Sequence, residues 1–478
     1  MIETLNELLK LRWLDVTSPP ITGLLVAFLV LSVCRRAAWG LYVLLFVLTV
    51  IPAGVDVEGV VIPILSAYSF NLLPVDLVLV AYSFLWVFYH LTARKGINIK
   101  AASPLLPILI VVFVRYLSTL ATLDLVGRSS IAFLRYIEWL LVFLIVVDLA
   151  RGKDALNLLR LFLWIIAIQS VITIVQTTLS LSAGDLYVSR GGTLSSQGSI
   201  LSWLQIYAIL MGLSFAYDAR SLLVRTGWGA YTGLVGIGLA STLGRSAWIT
   251  TGLGIVIYYL LDIRTSLLQK VSRTVQSMII VGLMAGIYLS LNVLNLGVIV
   301  ERAATFDNLD AEGSWLQRVV LWRVGLEVFL QHPLLGVGTG NYSQLVLGYF
   351  TSSDFLTLES HGIEGGVTAH NAVVNVLSET GLLGFMAYLF FAGRVTVMII
   401  TDLRRFKQSN WYPFLLPLGS AIIAQLLADW YSWTSFVVWS MLFLALYVVL
   451  RREALNGAAK APVKGRVTLR RGAVPNLC

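Results

Sequence analysis

The stretch HNAVVNVLSETGLLGFMAYLFFAGRVTVMIIT, His370 to Thr401, decides the fold. From residue 380 onward it is almost wholly apolar, and about 20 such residues are what a helix needs to cross roughly 30 Å of hydrocarbon. Ahead of that run, Asn371, Asn375, Ser378 and Glu379 recur at three- and four-residue spacing, so one polar stripe of the same helix enters the membrane. Polar groups at that depth must face a protein interior or a wet cavity. A histidine opening such a helix would sit in the positive end of its macrodipole, which favours the neutral imidazole and hence a base at neutral pH. An isolated histidine at an interface also serves as a hydrogen-bonded structural residue, and both readings stay open.

The same apolar character fills the rest of the 478-residue chain, which is 58% hydrophobic and 12% charged with a mean hydropathy of +0.84. A soluble protein would carry roughly a quarter of charged residues. Further apolar runs lie near 18–34, 38–53, 72–92, 102–121, 130–150, 155–180, 199–217, 227–243, 245–262, 276–296, 411–428 and 434–450. They lack the two-residue alternation of a barrel strand, so they are helices. The expectation is an all-α polytopic membrane protein with about 12–13 transmembrane helices and one large external loop containing amphipathic helices. Residues 1–296 would be the N-terminal transmembrane helices, 297–370 the external loop, 371–452 the C-terminal transmembrane helices and 453–478 a disordered basic cytoplasmic tail. The stretch Ile2 to Leu14 is amphipathic and leaves the side of the N-terminus open, with no cleavable signal peptide evident.

Orientation follows from Lys and Arg in the connections. Arg35, Arg36, Arg94, Lys95, Lys100, Arg151, Lys153, Arg220, Arg225, Arg264, Lys270, Arg273, Arg404, Arg405, Lys407 and the tail fall on alternate connections. The opposite connections hold only Arg128, Arg190, Arg245, Arg302, Arg318 and Arg323, so the first set is expected on the cytoplasmic side and the 297–370 loop outside. The net charge of +9 then marks orientation and is not a nucleic-acid signal. Cys34 and Cys478 are far apart, and both read as free thiols.

The external loop holds three of the four histidines. Between Ser314 and Gln331, Trp315, Val319, Trp322, Leu326, Phe329 and Leu330 share one helical sector, with Arg318 and Arg323 at its flanks, as in a helix lying on the outer leaflet. Next comes His332-Pro333-Leu334-Leu335-Gly336-Val337-Gly338-Thr339-Gly340-Asn341-Tyr342. Asn341 stands where the third glycine of a dinucleotide fingerprint would be, so the segment reads as a tight reversal whose backbone presses on a neighbour or a phosphate. Arg115, Arg128, Arg135, Arg190, Arg245 and Arg318 lie on or just beneath the outer face. Arg135 is three residues from Glu138 and should pair with it, whereas Arg190, Arg245 and Arg318 have no acid nearby in sequence and suit a phosphate group. Asp56 with Glu58, and Asp307, Asp310 and Glu312, could hold a divalent metal but read better as solvated turns.

From Leu234 to Tyr388 the chain resembles the superfamily of bacterial O-antigen ligases and O-antigen polymerases. The resemblance is carried by Gly244-Arg245-Ser246-Ala247-Trp248, Arg318 with Trp322, the His332 to Asn341 turn, and His370-Asn371 with Glu379, Gly381 and Gly384. The family more often has Ser where this chain has Gly244. The resemblance implies a glycosyltransferase of the bacterial inner membrane, acting at its periplasmic face without a cofactor or metal. It would move a glycan from undecaprenyl diphosphate onto an acceptor hydroxyl of a lipid A core or similar glycan, and the chemistry of displacement at an anomeric carbon, with a base for the hydroxyl and arginines for the leaving diphosphate, suits a direct, inverting transfer. His370 would activate or orient the acceptor, Arg190, Arg245 and Arg318 would hold the diphosphate, and Asn371, Glu379, Gly338 and Gly340 would support them. A polymerase joining carrier-linked repeats is the alternative within the family. A lipid-linked oligosaccharide flippase is the alternative of another class, although a transporter should place its charges near the midplane.

Overall fold

The computed structural model describes residues 19–50, 74–93, 96–97, 103–122, 126–182, 198–242, 244–266, 268–272, 275, 313–354, 369–430 and 438–460. The Ile2–Leu14 stretch, Asp56, Glu58, Arg190, the 276–296 run, Arg302, Asp307, Asp310, Glu312 and Cys478 lie outside the described residues. Those described are helical, with no strand among them, and the chain is an all-α membrane protein.

The helices follow the apolar runs: α1 (Pro19–Arg35), α2 (Gly40–Val50), α3 (Pro74–Ala93), α4 (Leu105–Leu120), α5 (Val126–Leu149), α6 (Gly152–Ser182), α7 (Gly198–Asp218), α8 (Leu222–Ser241) and α9 (Arg245–Leu261). Next among the described residues come α10 (Gly313–Gln331) and the single turn α11 (Tyr342–Leu345), both within 297–370, and then α12 (Ala372–Arg405), α13 (Tyr412–Ala428) and α14 (Val438–Lys460). Three contain stretches long and apolar enough to cross a membrane, Asp76–Ala93, Gly152–Thr177 and Ala372–Arg405. Leu24–Val33, Ala37–Val50, Leu105–Leu120 and Tyr412–Ala428 are equally apolar but shorter.

Small residues and internal hydrogen bonds hold these helices together, as lipid demands. Gly238 brings α8 so close to α6 that a Cβ there would stand 2.6 Å from the Ser170 side chain. Gln205 on α7 donates to the Ser170 hydroxyl at 3.0 Å. Tyr207 stacks on Phe443 with ring centroids 3.9 Å apart and donates to the Gln425 carbonyl oxygen at 2.8 Å, which Ser440 also reaches. One polar knot thus ties α7, α13 and α14 in an apolar surround.

Most of the basic connections meet at one end of the bundle. Arg36 pairs with Asp154 at 3.0 Å, the Gly152 N–H donates to Glu453 at 3.2 Å, and Arg452 donates to the Val147 and Ala150 carbonyls. Arg451 pairs with Asp402 at 2.7 Å, while Arg264 donates to the Lys407 carbonyl at 2.6 Å and faces Asp218 at 3.7 Å. Connections read as sharing one side from charge alone therefore touch one another.

Two boundaries differ from expectation. Helix α14 runs on to Lys460, through residues taken for the start of a disordered tail, because Arg451, Arg452 and Glu453 pin its last turns and the alanines that follow favour helix. Helix α12 begins with Asn371 as its cap, so His370 stands just before the helix rather than opening it.

Candidate functional site at the start of helix α12

The Asn371 side chain accepts from the Val373 and Val374 N–H groups at 2.9 and 3.1 Å, satisfying two orphan donors of the first turn. Its amide nitrogen donates to the Trp430 carbonyl at 2.9 Å, and the Ala372 N–H donates to the Asp429 carbonyl at 3.1 Å, which fixes the mouth of α12 to the end of α13. On the other side, Trp322 of α10 donates to the Ala369 carbonyl at 2.9 Å. Held between these anchors, His370 has φ +47, a left-handed conformation that costs a non-glycine residue about 1–2 kcal/mol. Backbone strain of this kind persists where surrounding structure over-determines it.

The imidazole is half-buried. Burial, with the nearby Arg318 charge second, holds its pKa below the usual 6.5, so it is neutral at neutral pH. The macrodipole expected to favour that form acts from one residue further on. The structure thus brings Arg318 of α10 into the electrostatic reach of His370.

Arg245 opens α9, which packs antiparallel to α13: the Ile263 N–H meets the Tyr412 hydroxyl at 3.2 Å, and a Cβ on Gly254 would touch Ala424 at 3.5 Å. From Gly254 to Arg245 the helix rises about 13 Å toward the end where Asp429 ties down α12. Arg245 and His370 therefore stand at the same end of the bundle, opposite the cluster of basic connections.

Below His370 the polar stripe of α12 is buried, as its spacing predicts: Asn371, Ser378 and Glu379 are all buried and Asn375 half-buried. Glu379 pairs with Arg115 of α4 at 3.2 Å, and both side chains are 7% exposed. The Arg115 guanidinium also lies 3.9 Å from the centroid of the Tyr136 ring, and Asn375 donates to Glu379 at 3.4 Å. Beside this group a cleft of about 770 Å³ runs down between α4, α5 and α12, with Arg115, Asn375, Tyr388 and Asp429 among its polar lining and Ile108 and Phe391 in its apolar part. Tyr388 donates to Asp429 at 2.9 Å, and the Asn375 side-chain oxygen, which has no hydrogen-bond partner among the described residues, belongs to the same wall.

The glycine segment presses on a neighbour, the break in α12. Gly381, at φ +62 and ψ −161, breaks α12 and leaves its backbone groups without helical partners. The turn supplies them: Val337 and Gly338 N–H groups donate to the Ser378 and Glu379 carbonyls at 3.0 and 2.9 Å, and the Leu382 and Leu383 N–H groups donate to the Pro333 and Leu334 carbonyls at 2.8 and 3.2 Å. Gly336, Gly338 and Gly340 all have positive φ. The Gly338 N–H is spent on Glu379, and the Gly340 N–H faces the Glu379 carboxylate, so both glycines brace the helix break.

Arg135 pairs with Glu138 at 3.1 Å, as expected, and also with Asp76. Arg323 is held by Glu327 at 2.9 Å and by Asp354 and does not meet His370's surroundings as Arg318 does. The protein-facing side of α10 is Leu321, Val324 and Val328, while Val319, Leu326 and Leu330 of the expected stripe are exposed. The sequence did not single out Tyr136 and Asp429, and it placed Arg115 at the outer face and Trp322 beside Arg318 without giving either a partner in this region. Arg115 had a usable signal: a charge inside an apolar span needs a partner, and Glu379 was the carboxylate at the edge of another span. Among the described residues no group of three His, Cys, Asp or Glu could hold a metal ion.

A search of curated proteins gives no match for the chain. Residues 230–389, which take in Arg245, Arg318, the glycine turn, His370 and Glu379, match the family model described as O-antigen ligase, so this third of the chain is similar to the O-antigen ligase and polymerase superfamily.

Proposed function

We propose that this protein is a glycosyltransferase of the bacterial inner membrane that moves an undecaprenyl-diphosphate-linked glycan onto an acceptor hydroxyl at the outer, periplasmic face. What supports this reading is a half-buried His370 at the mouth of α12, its pKa lowered by burial and by the charge of Arg318, at the end of the bundle that Arg245 shares and the basic connections avoid.

Displacement at an anomeric carbon needs a base for the incoming hydroxyl and neutralisation of the charge that builds on the leaving diphosphate. His370 takes the proton as the acceptor oxygen forms its bond to the anomeric carbon. The bond from that carbon to the diphosphate oxygen breaks, and the guanidinium groups of Arg245 and Arg318, joined by Arg190, meet the released charge. A single displacement inverts the anomeric centre and requires no metal. Asn371 keeps His370 in place through the cap, and Glu379, Gly338 and Gly340 hold the helix break beneath it.

A lipid A core or similar glycan as acceptor makes the protein a ligase; a second carrier-linked glycan would make it a polymerase with the same site. Product formation by the purified protein in detergent, from a carrier-diphosphate glycan and an acceptor in excess chelator, is the test. The reading expects an inverted glycosidic product and free undecaprenyl diphosphate. Absence of product with a competent donor favours a flippase instead, and loss of product on chelation favours metal-dependent transfer.

A further inference from the structure

We propose that a second cleft, at the opposite end of the bundle from His370, binds the phosphodiester headgroup of an anionic phospholipid from the leaflet at that end. This cleft, of about 510 Å³, lies between the start of α4 and the last turns of α12, where Ser103, Arg394, Thr401 and Arg451 contribute its polar groups. Arg394, Val397, Met398 and Thr401 follow at i, i+3, i+4 and i+7, so they share one face of α12. The Ser103 hydroxyl donates to the Met398 sulfur at 2.9 Å and seats the start of α4 beside that face.

Arg394 is exposed, and no ion pair or hydrogen bond of its side chain is described. It lies eight residues before Asp402, about 12 Å deeper along α12. At that depth it faces lipid, where an unpaired guanidinium is costly and an anionic partner removes the cost. The carboxylate in the cleft, Asp402, is already neutralised by Arg451 at 2.7 Å and also faces Arg405. The cleft therefore carries an excess of positive charge that a net-anionic headgroup satisfies and a zwitterionic one does not. Exposed Leu106, two residues after Pro104, and exposed Val397 give the acyl chains an apolar flank on either side of those groups. Basic pockets between helices are where such headgroups bind.

Native mass spectrometry of the full-length protein, released from micelles containing equal phosphatidylglycerol and phosphatidylcholine, tests this directly. Phosphatidylglycerol adducts should dominate, fall about fivefold in Arg394→Leu, and largely return in Arg394→Lys. Arg394→Leu places an apolar side chain against lipid, so the fold is retained; Ser103→Leu, which fills the cleft without touching its charge, should lower the same adduct. Excess inorganic phosphate should leave it in place, since the acyl chains contribute to binding. Equal retention of the two lipids, undiminished phosphatidylglycerol in Arg394→Leu, or displacement by phosphate would overturn the proposal.

Discussion

His370 is fixed by its neighbours rather than by its own contacts: Trp322 grips the carbonyl before it and Asn371 caps the helix after it. Two predictions belong to this residue. Its pKa lies below 6.5 because it is buried and because Arg318 is near, so the acid limb of kcat/KM should fall below pH 6.5 and move up toward that value in Arg318→Gln. The sign for stability agrees: below pH 6.5 the unfolded chain binds a proton that the folded site resists, so folding weakens as the pH falls. An acid limb above 6.5 in the wild type would remove His370 from the base role. The left-handed backbone gives the second prediction. His370→Gly should be more stable than His370→Ala by about 1 kcal/mol, read as a higher melting temperature in detergent, while both lose transfer. Equal melting temperatures would mean that the strain is absent.

At the scale of elements, the break in α12 and the glycine turn complete each other. Gly336→Ala should destabilise the protein by more than about 1 kcal/mol, because φ is +65 there and the new Cβ would collide with the Glu379 backbone. The Arg115–Glu379 pair makes a sharper case. Arg115→Met leaves a buried carboxylate unpaired and should cost about 3–5 kcal/mol, whereas Arg115→Met with Glu379→Gln should recover a large part of that loss. Thermal unfolding of the two variants checks this, and equal destabilisation would show that the ion pair is not what holds the helices. These elements also mark how far sequence carries. The turn was legible as a reversal with backbone pressed against something, since Gly336, Gly338 and Gly340 follow at every second position. Its partner was not legible, because nothing in the spacing of α12 announces that Gly381 will interrupt the helix and offer free backbone groups to residues more than 40 positions earlier. That the charge of Arg318 acts on His370 was likewise expected only through resemblance, for a long connection separates α10 from the start of α12.

For the molecule as a whole, the grouping of the basic connections was legible in the sequence. The placement of Lys and Arg divided the connections into two sets, and contacts such as Arg36–Asp154, Gly152–Glu453 and Arg264–Lys407 gather much of one set at one end. The two sets should therefore react from opposite sides of the membrane. With Cys34→Ala and Cys478→Ala as background, His332→Cys should react with an impermeant maleimide in spheroplasts and Gln408→Cys only after lysis. Labelling of both from outside would contradict the orientation. That Arg245 shares His370's end followed from the same division of the connections, and α9 running antiparallel to α13 is the packing that realises it. The most direct measurement is single-turnover transfer of a glycan from undecaprenyl diphosphate by reconstituted wild type and His370→Ala. If His370 is the base, the rate in the variant is lower by at least about 100-fold; transfer by His370→Ala at the wild-type rate would contradict that role.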